Sequence, residues 1–287
     1  MNKAQVEEAF DIYIVGLGIV NVRQITREVD EALRRSREIL FVAQEFGLVE
    51  YLNQLCPNVT DLHNIAYCES DNRMNAYNTM TAKVIEAALD HPPVTFAMYG
   101  HPLVFAWPPF QILKVAPLFG LRVKILPGIS AMDCLFVDLK LDPARGLQIY
   151  EATDVLIRQR PLHPDVPCLI WQIGTVETQL YSTGNSKPER FLRMKNYLLQ
   201  YYPPEHKVVA VYSSSFPLIP SLLTEFAIRD FEAHSQEIHP GATLYIPPVG
   251  PRPIADHELL QDIASVSHLQ KIVDLSTIYS SPKEETE

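Results

Sequence analysis

Paired cysteines, long apolar runs and a surplus of basic side chains are all missing from the 287-residue sequence. The four cysteines show no C-x-x-C pair and no repeated spacing, so we expect neither a zinc site nor a disulfide framework. No apolar run reaches the ~20 residues of a membrane-spanning helix. The N-terminus begins Met-Asn-Lys-Ala and lacks the basic-then-apolar order of a signal peptide. These absences predict a cytoplasmic protein with no metal and no membrane partner.

Acidic side chains outnumber basic ones by 34 to 24, which gives a net charge of -10. Because such a chain repels a phosphate backbone, nucleic acid is not an expected partner. The one basic cluster, Arg34, Arg35 and Arg37, falls in a helical pattern and is interpreted as a solvated helix face. The length is compatible with one domain or with two smaller ones, and we expect two.

Alternating strand and helix patterns fill the first part of the chain. An apolar run at Ile12–Val15 ends in Gly16-Leu17-Gly18, and Thr26 then precedes a helical stretch. The G-x-G-x-x-N pattern lacks the third glycine of a dinucleotide fingerprint, so a tight turn is the favoured interpretation. The pattern continues with predicted strands at residues 39–42 and 94–98 and a predicted helix at 76–89. Alternation of this kind predicts parallel α/β construction.

Two loops follow strand-like runs and are candidates for a ligand site. Tyr99-Gly100-His101-Pro102 follows Met98, and Pro127-Gly128-Ile129-Ser130 follows the run at 123–126. Open α/β sheets bind ligands at the carboxyl ends of their strands. A helix over residues 131–139 is predicted after the second loop. Within these segments we assign His101 a structural role, and Asp133 and Asp138 roles in helix capping or domain contacts.

Turn residues cluster at Asp142-Pro143-Ala144-Arg145-Gly146, where the chain becomes richer in proline. We place a domain boundary there, which gives α/β domains at residues 1–145 and 146–250. Strands are expected in the second domain at 168–173, 208–212 and 242–246. Residues 251–287 are predicted to form a single helix, Ala255 to Val273, followed by a polar tail.

Four ordered segments carry a specific resemblance: G-L-G-I-V-N-V-R-Q-I-T, Y-G-H-P-L-V-F, P-G-I-S-A-M-D-C-L-F-V-D-L-K-L-D-P and Y-E-A-T-D-V-L-I-R-Q-R-P. The chain resembles the tetrapyrrole methylases, and among them most closely the borosin peptide backbone α-N-methyltransferases. The superfamily usually has a G-D-P-type loop where this chain has Gly100-His101-Pro102, and a further glycine where it has Val20. Those departures favour the borosin branch.

The resemblance implies the α/β, two-domain tetrapyrrole-methylase fold of the class III S-adenosylmethionine methyltransferases, with the active site between the domains. It also implies that the cofactor, S-adenosylmethionine, lies bent between the two domains. The cofactor contacts that it implies, matched motif by motif, are Tyr99, Gly100, Pro102, Val104, Ser130, Ala131, Gln172, Tyr212 and Thr243. Without the resemblance, we would expect Gln172 and Thr243 to be surface or sheet-edge residues.

The segment Y-C-E-S-D-N-R-M-N-A-Y-N-T-M contains Tyr67, Arg73 and Tyr77. Judged alone, an arginine and a tyrosine four residues apart on a helix are usually surface packing of a guanidinium on a ring. The resemblance instead implies catalytic roles for all three. Arg73 would stabilise charge developing on the substrate carbonyl oxygen and lower the pKa of a neighbouring tyrosine. Tyr67 is the first candidate for the base and Tyr77 the second, with Tyr99 close to the methyl donor.

The implied reaction is iterative N-methylation of backbone amides in a ribosomally made precursor peptide. Fused family members carry a long C-terminal extension that ends in the methylated segment, whereas here only residues 251–287 follow the catalytic region. We therefore expect a separate precursor peptide as the partner, and a homodimer, since the family works as one. Two alternatives stay open: a uroporphyrinogen or precorrin C-methyltransferase, and a non-catalytic regulator that binds S-adenosylmethionine. Only the peptide enzyme has a use for Tyr67, Arg73 and Tyr77.

Overall fold

The computed structural model describes residues 10–43, 47–66, 72–181, 184 and 186–274. The chain divides into two compact units, Met1–Val249 and Gly250–Glu287, and each is described by itself. Within the described ranges no helix combines the length and apolarity that a membrane crossing requires. The predicted polar tail, residues 280–287, lies outside them.

The first part of the larger unit is a five-stranded parallel sheet with helices between its strands. Its elements are β1 (Ile12–Gly16), α1 (Arg27–Arg35), β2 (Glu38–Val42), α2 (Leu48–Leu55), β3 (Val59–Asp61), α3 (His63–Ala66), α4 (Arg73–Asp90), β4 (Val94–Met98), α5 (Pro108–Val115), β5 (Val123–Leu126) and α6 (Ala131–Leu139). The strand order is β3-β2-β4-β1-β5. Every neighbouring pair in this sheet is parallel, as predicted.

Both faces of this sheet are buried, which explains why strands β1, β2, β4 and β5 are mostly apolar. One apolar cluster packs strand residues such as Phe96 against Val84 of α4 and Ile112 of α5. A second cluster packs the other face against Leu33 of α1 and Leu52 of α2. The sheet is therefore the central layer of three.

The second part contains a mixed sheet. Its elements are β6 (Gln148–Glu151), α7 (Ala152–Arg158), β7 (Cys168–Trp171), α8 (Leu192–Leu198), β8 (Lys207–Tyr212), β9 (Leu222–Ala227) and β10 (Thr243–Ile246). The strand order is β6-β7-β10-β8-β9. Only β6 and β7 are parallel, and the other three pairs are antiparallel.

Helix α6 connects the two parts of the larger unit by packing on the second sheet. Its Leu135 joins Leu169, Trp171 and Val211 in one buried cluster on one face of that sheet. The opposite face is covered by a separate, larger cluster that includes residues of α7 and α8. One face of the second sheet is therefore covered by helices α7 and α8 of the same part of the chain. The other face is covered by α6 of the first part.

Polar contacts strengthen the same connection. Ser213 and Ser221 donate hydroxyl hydrogen bonds to the Asp138 carboxylate, at 2.6 and 2.9 Å. At the other end of α6, Asp133 and Ser130 form a reciprocal capping box. The predicted capping role of Asp133 is confirmed, and Asp138 contacts the second part of the larger unit.

Most predicted elements occur at the expected positions, with two exceptions. The strand predicted at 168–173 ends at Trp171, because Gln172 has a left-handed φ of 58°. The single helix predicted from Ala255 to Val273 is wrong. The smaller unit instead has α9 (His257–Asp262) and α10 (Val266–Ile272), and Ser265 caps the second by accepting a hydrogen bond from His268 N–H. The division into domains 1–145, 146–250 and 251–287 stays a prediction.

Candidate functional site

A cavity of about 440 Å³ lies between the two sheets of the larger unit. Its wall on the first part is built by the segment after β4, the start of α6 and the side of α4. Its wall on the second part is built by the ends of β7 and β8 and the start of β10. The lining residues come from separate segments of the chain, the first at Ile19 and the last at Thr243.

Glycines let three loops meet beside this cavity. A Cβ added to Gly128 would lie 2.5 Å from Gly100 O and 2.6 Å from Gly16 C and O. These are backbone atoms with little freedom to move, so only glycine fits there. Gly18 (φ 80°) exchanges backbone hydrogen bonds with Gly100. The G-x-G-x-x-N pattern is thus a tight turn, as predicted, and it holds the loop after β1 against the loop after β4.

Seven of the nine predicted cofactor positions line this cavity. They are Tyr99, Gly100, Val104, Ala131, Gln172, Tyr212 and Thr243. Pro102 and Ser130 are buried but are not among the lining residues. The Ser130 hydroxyl is occupied by Asp133, to which it donates at 2.6 Å. The structure therefore brings together most of this set from both parts of the larger unit.

The predicted catalytic residues are placed less completely. Tyr77, on the second turn of α4, lines the cavity. Arg73 is half-buried at the first position of α4 and is not a lining residue. Its backbone N–H donates to Gln179 O at 3.1 Å, which joins the start of α4 to the second part of the larger unit. Tyr67 lies outside the described residues.

The second wall of the cavity contains an ordered ring pair. Tyr212 stacks on His239 with 3.7 Å between ring centroids. Gly241 N–H donates to His239 Nδ1 at 3.0 Å, which leaves the ring proton on Nε2. Burial lowers the pKa of His239 below its ordinary value. The ring is therefore neutral near pH 7 and forms part of an uncharged wall.

His101 has a comparable arrangement on the first wall. Leu103 N–H donates to its Nδ1 at 3.1 Å, so the imidazole closes the turn of its own loop. This contact supports the predicted structural role of His101, although the residue also lines the cavity.

An aromatic part of the cavity wall was not predicted. Phe105 stacks on Trp171 with 4.8 Å between centroids and 26° between ring planes. Trp107 lines the same cavity, so both tryptophans of the sequence are found there. A signal was available in the sequence: Phe105 and Trp107 come within five residues of the Y-G-H-P loop, and Trp171 precedes Gln172 at the end of a strand.

The described lining residues include no Asp, Glu, Lys or Arg. They combine aromatic and apolar side chains with a few polar groups, among them Gln172, Thr243 and Ser213. Neutral cavities with convergent polar groups are typical of organic ligand sites. Throughout the described ranges, no cluster of three or more His, Cys, Asp or Glu side chains could hold a metal ion.

The geometry defines an α/β protein with a neutral cavity at strand ends between two sheets. The family model of the tetrapyrrole (corrin/porphyrin) methylases matches residues 11–217. The chain belongs to this family, because the match covers more than half of its length. The matched range includes the whole first sheet and strands β6, β7 and β8 of the second. The tetrapyrrole-methylase fold predicted from the motifs is confirmed.

Curated relatives are fungal methyltransferases whose names also include a peptide precursor. The chain is 28% identical over 240 residues to the dendrothelin A precursor of Dendrothele bispora, covering 83% of this chain and 57% of that protein. It is 31% identical over 248 residues to a type I borosin precursor of Gymnopilus junonius, covering 84% and 58%. The omphalotin A precursor of Omphalotus olearius matches at 28%, covering 84% and 58%. The chain thus spans just under three fifths of the length of these three relatives.

Solved structures of tetrapyrrole methylases are similar in fold. The methyltransferase CobJ matches with a TM-score of 0.61 at 18% identity, over 86% of this chain and 98% of that one. A uroporphyrin-III C-methyltransferase from Thermus thermophilus, solved with S-adenosylhomocysteine, matches with a TM-score of 0.57 at 17% identity, over 82% and 91%. At these identities the similarity shows the fold.

Proposed function

We propose that the protein is an S-adenosylmethionine-dependent methyltransferase that binds the cofactor in the cavity between its two sheets. The observation that carries this proposal is the convergence of Tyr99, Gly100, Val104, Ala131, Gln172, Tyr212 and Thr243 on one cavity. The neutral wall fits the nucleoside of the cofactor, and the close-packed glycine loops bring backbone groups near it. S-adenosylmethionine supplies the methyl group as an electrophile on its sulfonium.

We further propose that the methyl acceptor is the backbone amide nitrogen of a peptide. The relatives support this assignment, since their names join a methyltransferase to a ribosomally made peptide. Placement of Tyr77 on the cavity wall, one helical turn beyond Arg73, also supports it. An amide nitrogen is a poor nucleophile through resonance, so removal of its proton has to be assisted.

In this proposal the protein's own groups act on the amide. Arg73 stabilises the negative charge that develops on the carbonyl oxygen, and the phenolate oxygen of a nearby tyrosine accepts the amide proton to become the neutral hydroxyl. Tyr67 and Tyr77 are both candidates for that base. Arg73 is placed for this role at the first position of α4, one helical turn before Tyr77.

The peptide is proposed to be a separate molecule, and the protein a homodimer. Three aromatic lining residues are 39–44% exposed: Tyr99, Phe105 and Trp107. The cavity is therefore accessible from solvent to a peptide that is supplied in trans. An apolar, aromatic rim of this kind suits an extended peptide.

Mass spectrometry tests the proposed reaction. The purified protein is incubated with S-adenosylmethionine and candidate peptides encoded near its gene, and the fragments are sequenced. Methyl groups on backbone nitrogens of the added peptide are the expected result. Methylation confined to the protein's own chain would contradict the separate substrate, and no methylation of any peptide would contradict the peptide activity.

A tetrapyrrole C-methyltransferase is the second candidate, because the solved structures with similar folds carry that name. Such an enzyme acts on an activated carbon of its substrate and needs no base for an amide. Incubation with uroporphyrinogen under the same conditions separates the two. A methylated porphyrinogen would favour this candidate, whereas cofactor binding with neither product would favour a regulatory protein.

A further inference from the structure

Trp171 carries a buried polar group without a partner. The residue ends β7, lines the cavity and is 7% exposed. Its indole Nε1 is buried and has no hydrogen-bond acceptor in the described protein. An indole nitrogen can only donate, and a buried donor without an acceptor is unfavourable. Tryptophan in a folded protein usually satisfies this group.

The protein side of Trp171 cannot supply the missing acceptor. There the indole packs in a cluster with Leu135, Leu169 and Val211, whose side chains are apolar. The Phe105 ring and the cavity lie beside the rest of the indole. A ligand that occupies the cavity can supply the acceptor that Nε1 lacks among the described residues.

Phe105 forms the cover of this position. Its ring stacks on the indole, is 43% exposed, and belongs to a residue with a left-handed φ of 51°. A bulky residue that is not glycine is strained in that region of φ, and such strain is found at ligand sites more often than elsewhere. The exposed Phe105 ring, unlike the buried core around the indole, has room to shift and give a ligand access to Nε1.

We propose that the Trp171 indole N–H donates a hydrogen bond to the nucleoside half of the cofactor and so positions it. This inference rests on the proposed S-adenosylmethionine site. The nucleoside is the expected half because the described lining is neutral and aromatic, which suits adenosine. The amino-acid half carries an ammonium and a carboxylate, which such a lining does not suit. Trp171 is a specificity residue in this proposal and takes no part in methyl transfer.

Nuclear magnetic resonance of the two indole N–H groups tests the proposal directly. The protein is labelled with indole-¹⁵N tryptophan, and Trp107→Phe assigns the two signals, since the sequence has only two tryptophans. S-adenosylhomocysteine, adenosine and homocysteine are titrated separately, with calorimetry on the same samples. We expect the Trp171 indole proton to move downfield with S-adenosylhomocysteine and with adenosine, and to stay unchanged with homocysteine.

The outcomes separate this inference from the proposed function. Binding heat with S-adenosylhomocysteine but no downfield shift at Trp171 overturns the inference and leaves the cofactor site standing. A shift produced by homocysteine instead of adenosine overturns the choice of the nucleoside half. Absence of any binding heat overturns the cofactor site and the inference together.

The variant Trp171→Phe provides a second measurement, since it keeps an aromatic ring and removes the donor. Loss of one neutral hydrogen bond is expected to weaken binding of both S-adenosylhomocysteine and adenosine by about 3- to 10-fold. Tyr150→Phe, on β6 and outside the cavity lining, also removes one donor and keeps a ring. It is the matched control and should bind adenosine as the unsubstituted protein does. Equal affinities in the Trp171→Phe variant and the unsubstituted protein would contradict the proposal. The spectra of the unsubstituted protein decide the question even if the variant does not fold.

Discussion

His239 is held neutral by its surroundings, and this has a consequence for stability. Its ring is stacked on Tyr212, its Nδ1 accepts from Gly241 N–H, and burial lowers its pKa from the ordinary 6.5. Between the lowered folded value and 6.5, the unfolded chain binds more protons at this residue than the folded protein does. The stabilising contribution is complete above pH 6.5 and is lost as the pH falls toward the folded value.

His239→Asn should remove this pH dependence while keeping an acceptor for Gly241 N–H. We expect the difference in Tm between the unsubstituted protein and the variant to shrink as the pH is lowered from about 8 to about 5. Thermal unfolding across that range measures it. His257→Asn, at an exposed position of α9, is the control and should leave the profile unchanged. A difference that grows on acidification would contradict the prediction.

The proposed base and charge stabiliser can be tested one side chain at a time. Tyr77→Phe and Tyr67→Phe each remove a hydroxyl and keep a ring. The variant that removes the base should turn over about 10²-fold or more slowly than the unsubstituted protein. Arg73→Ala should lose roughly 10²- to 10³-fold. Calorimetry should find S-adenosylhomocysteine binding nearly unchanged in all three. Arg122→Ala, an arginine that pairs with Asp11 before the first strand, is the control and should turn over normally. Normal turnover in Arg73→Ala would move its proposed role elsewhere.

At the scale of elements, the junction of the three glycine loops should tolerate no side chain. Gly128→Ala places a Cβ against the backbone of Gly100 and Gly16, so the loops have to separate. We expect a loss of roughly 1–3 kcal/mol, by analogy with overpacking of a core. A fall in Tm of several degrees and weaker binding of S-adenosylhomocysteine should follow. Gly250→Ala is the control, because nothing lies within 4 Å of its added Cβ. An unchanged Tm for Gly128→Ala would show that the loops can separate at no cost.

Helix α6 is tied to the second sheet by Asp138, and a double-mutant cycle can measure the contact. Asp138→Ala and Ser213→Ala remove the two sides of a 2.6 Å hydrogen bond. Urea unfolding of both single variants and the double variant should give a coupling energy of roughly 0.5–3 kcal/mol. The control cycle pairs Asp138→Ala with Ser36→Ala, which shares no partner with it. Additive effects in the Asp138–Ser213 cycle would mean that this contact does not hold the two parts together.

Local sequence patterns identified the elements that are most buried. Strands β1, β2, β4 and β5 are mostly apolar because the parallel sheet is covered on both faces. Helix α6 is marked by the Ser130–Asp133 cap. Helix α8 and edge strand β9 lack such a pattern, since long-range packing decides them. The C-terminal apolar stripe predicted one helix, but the Ser265 cap starts a second one.

The candidate site, like the fold, could be predicted only in part from local sequence patterns. Motif resemblance identified residues in the loops that line the cavity, such as Tyr99 and Ala131. It did not identify the Phe105–Trp171 stack, because that contact joins two distant segments and neither segment alone encodes it. Nor could it reveal the buried Trp171 donor, which depends on the apolar packing around the indole.

At the scale of the whole molecule, the predicted homodimer is tested by its mass. The smaller unit exposes apolar side chains on both helices, including Ile263 at 67% and Ile272 at 65%. Light scattering should report twice 32.5 kDa at micromolar concentration. If these side chains form the contact, the double variant Ile263→Asp, Ile272→Asp should shift the mass toward 32.5 kDa, whereas Gln261→Asp should not. A mass of 32.5 kDa for the unsubstituted protein would contradict the dimer.

The strand order of the first sheet also affects how the chain folds during synthesis. The two earliest strands, β1 and β2, do not pair with each other, because β4 lies between them. The two strands become part of one sheet only after β4 has left the ribosome. Its last residue, Met98, is 86 residues after Ile12. At roughly 5–20 residues per second this interval lasts about 4–17 s. During that time the apolar runs of β1 and β2 lack their shared neighbour, so the nascent chain is most prone to aggregation before its fourth strand emerges.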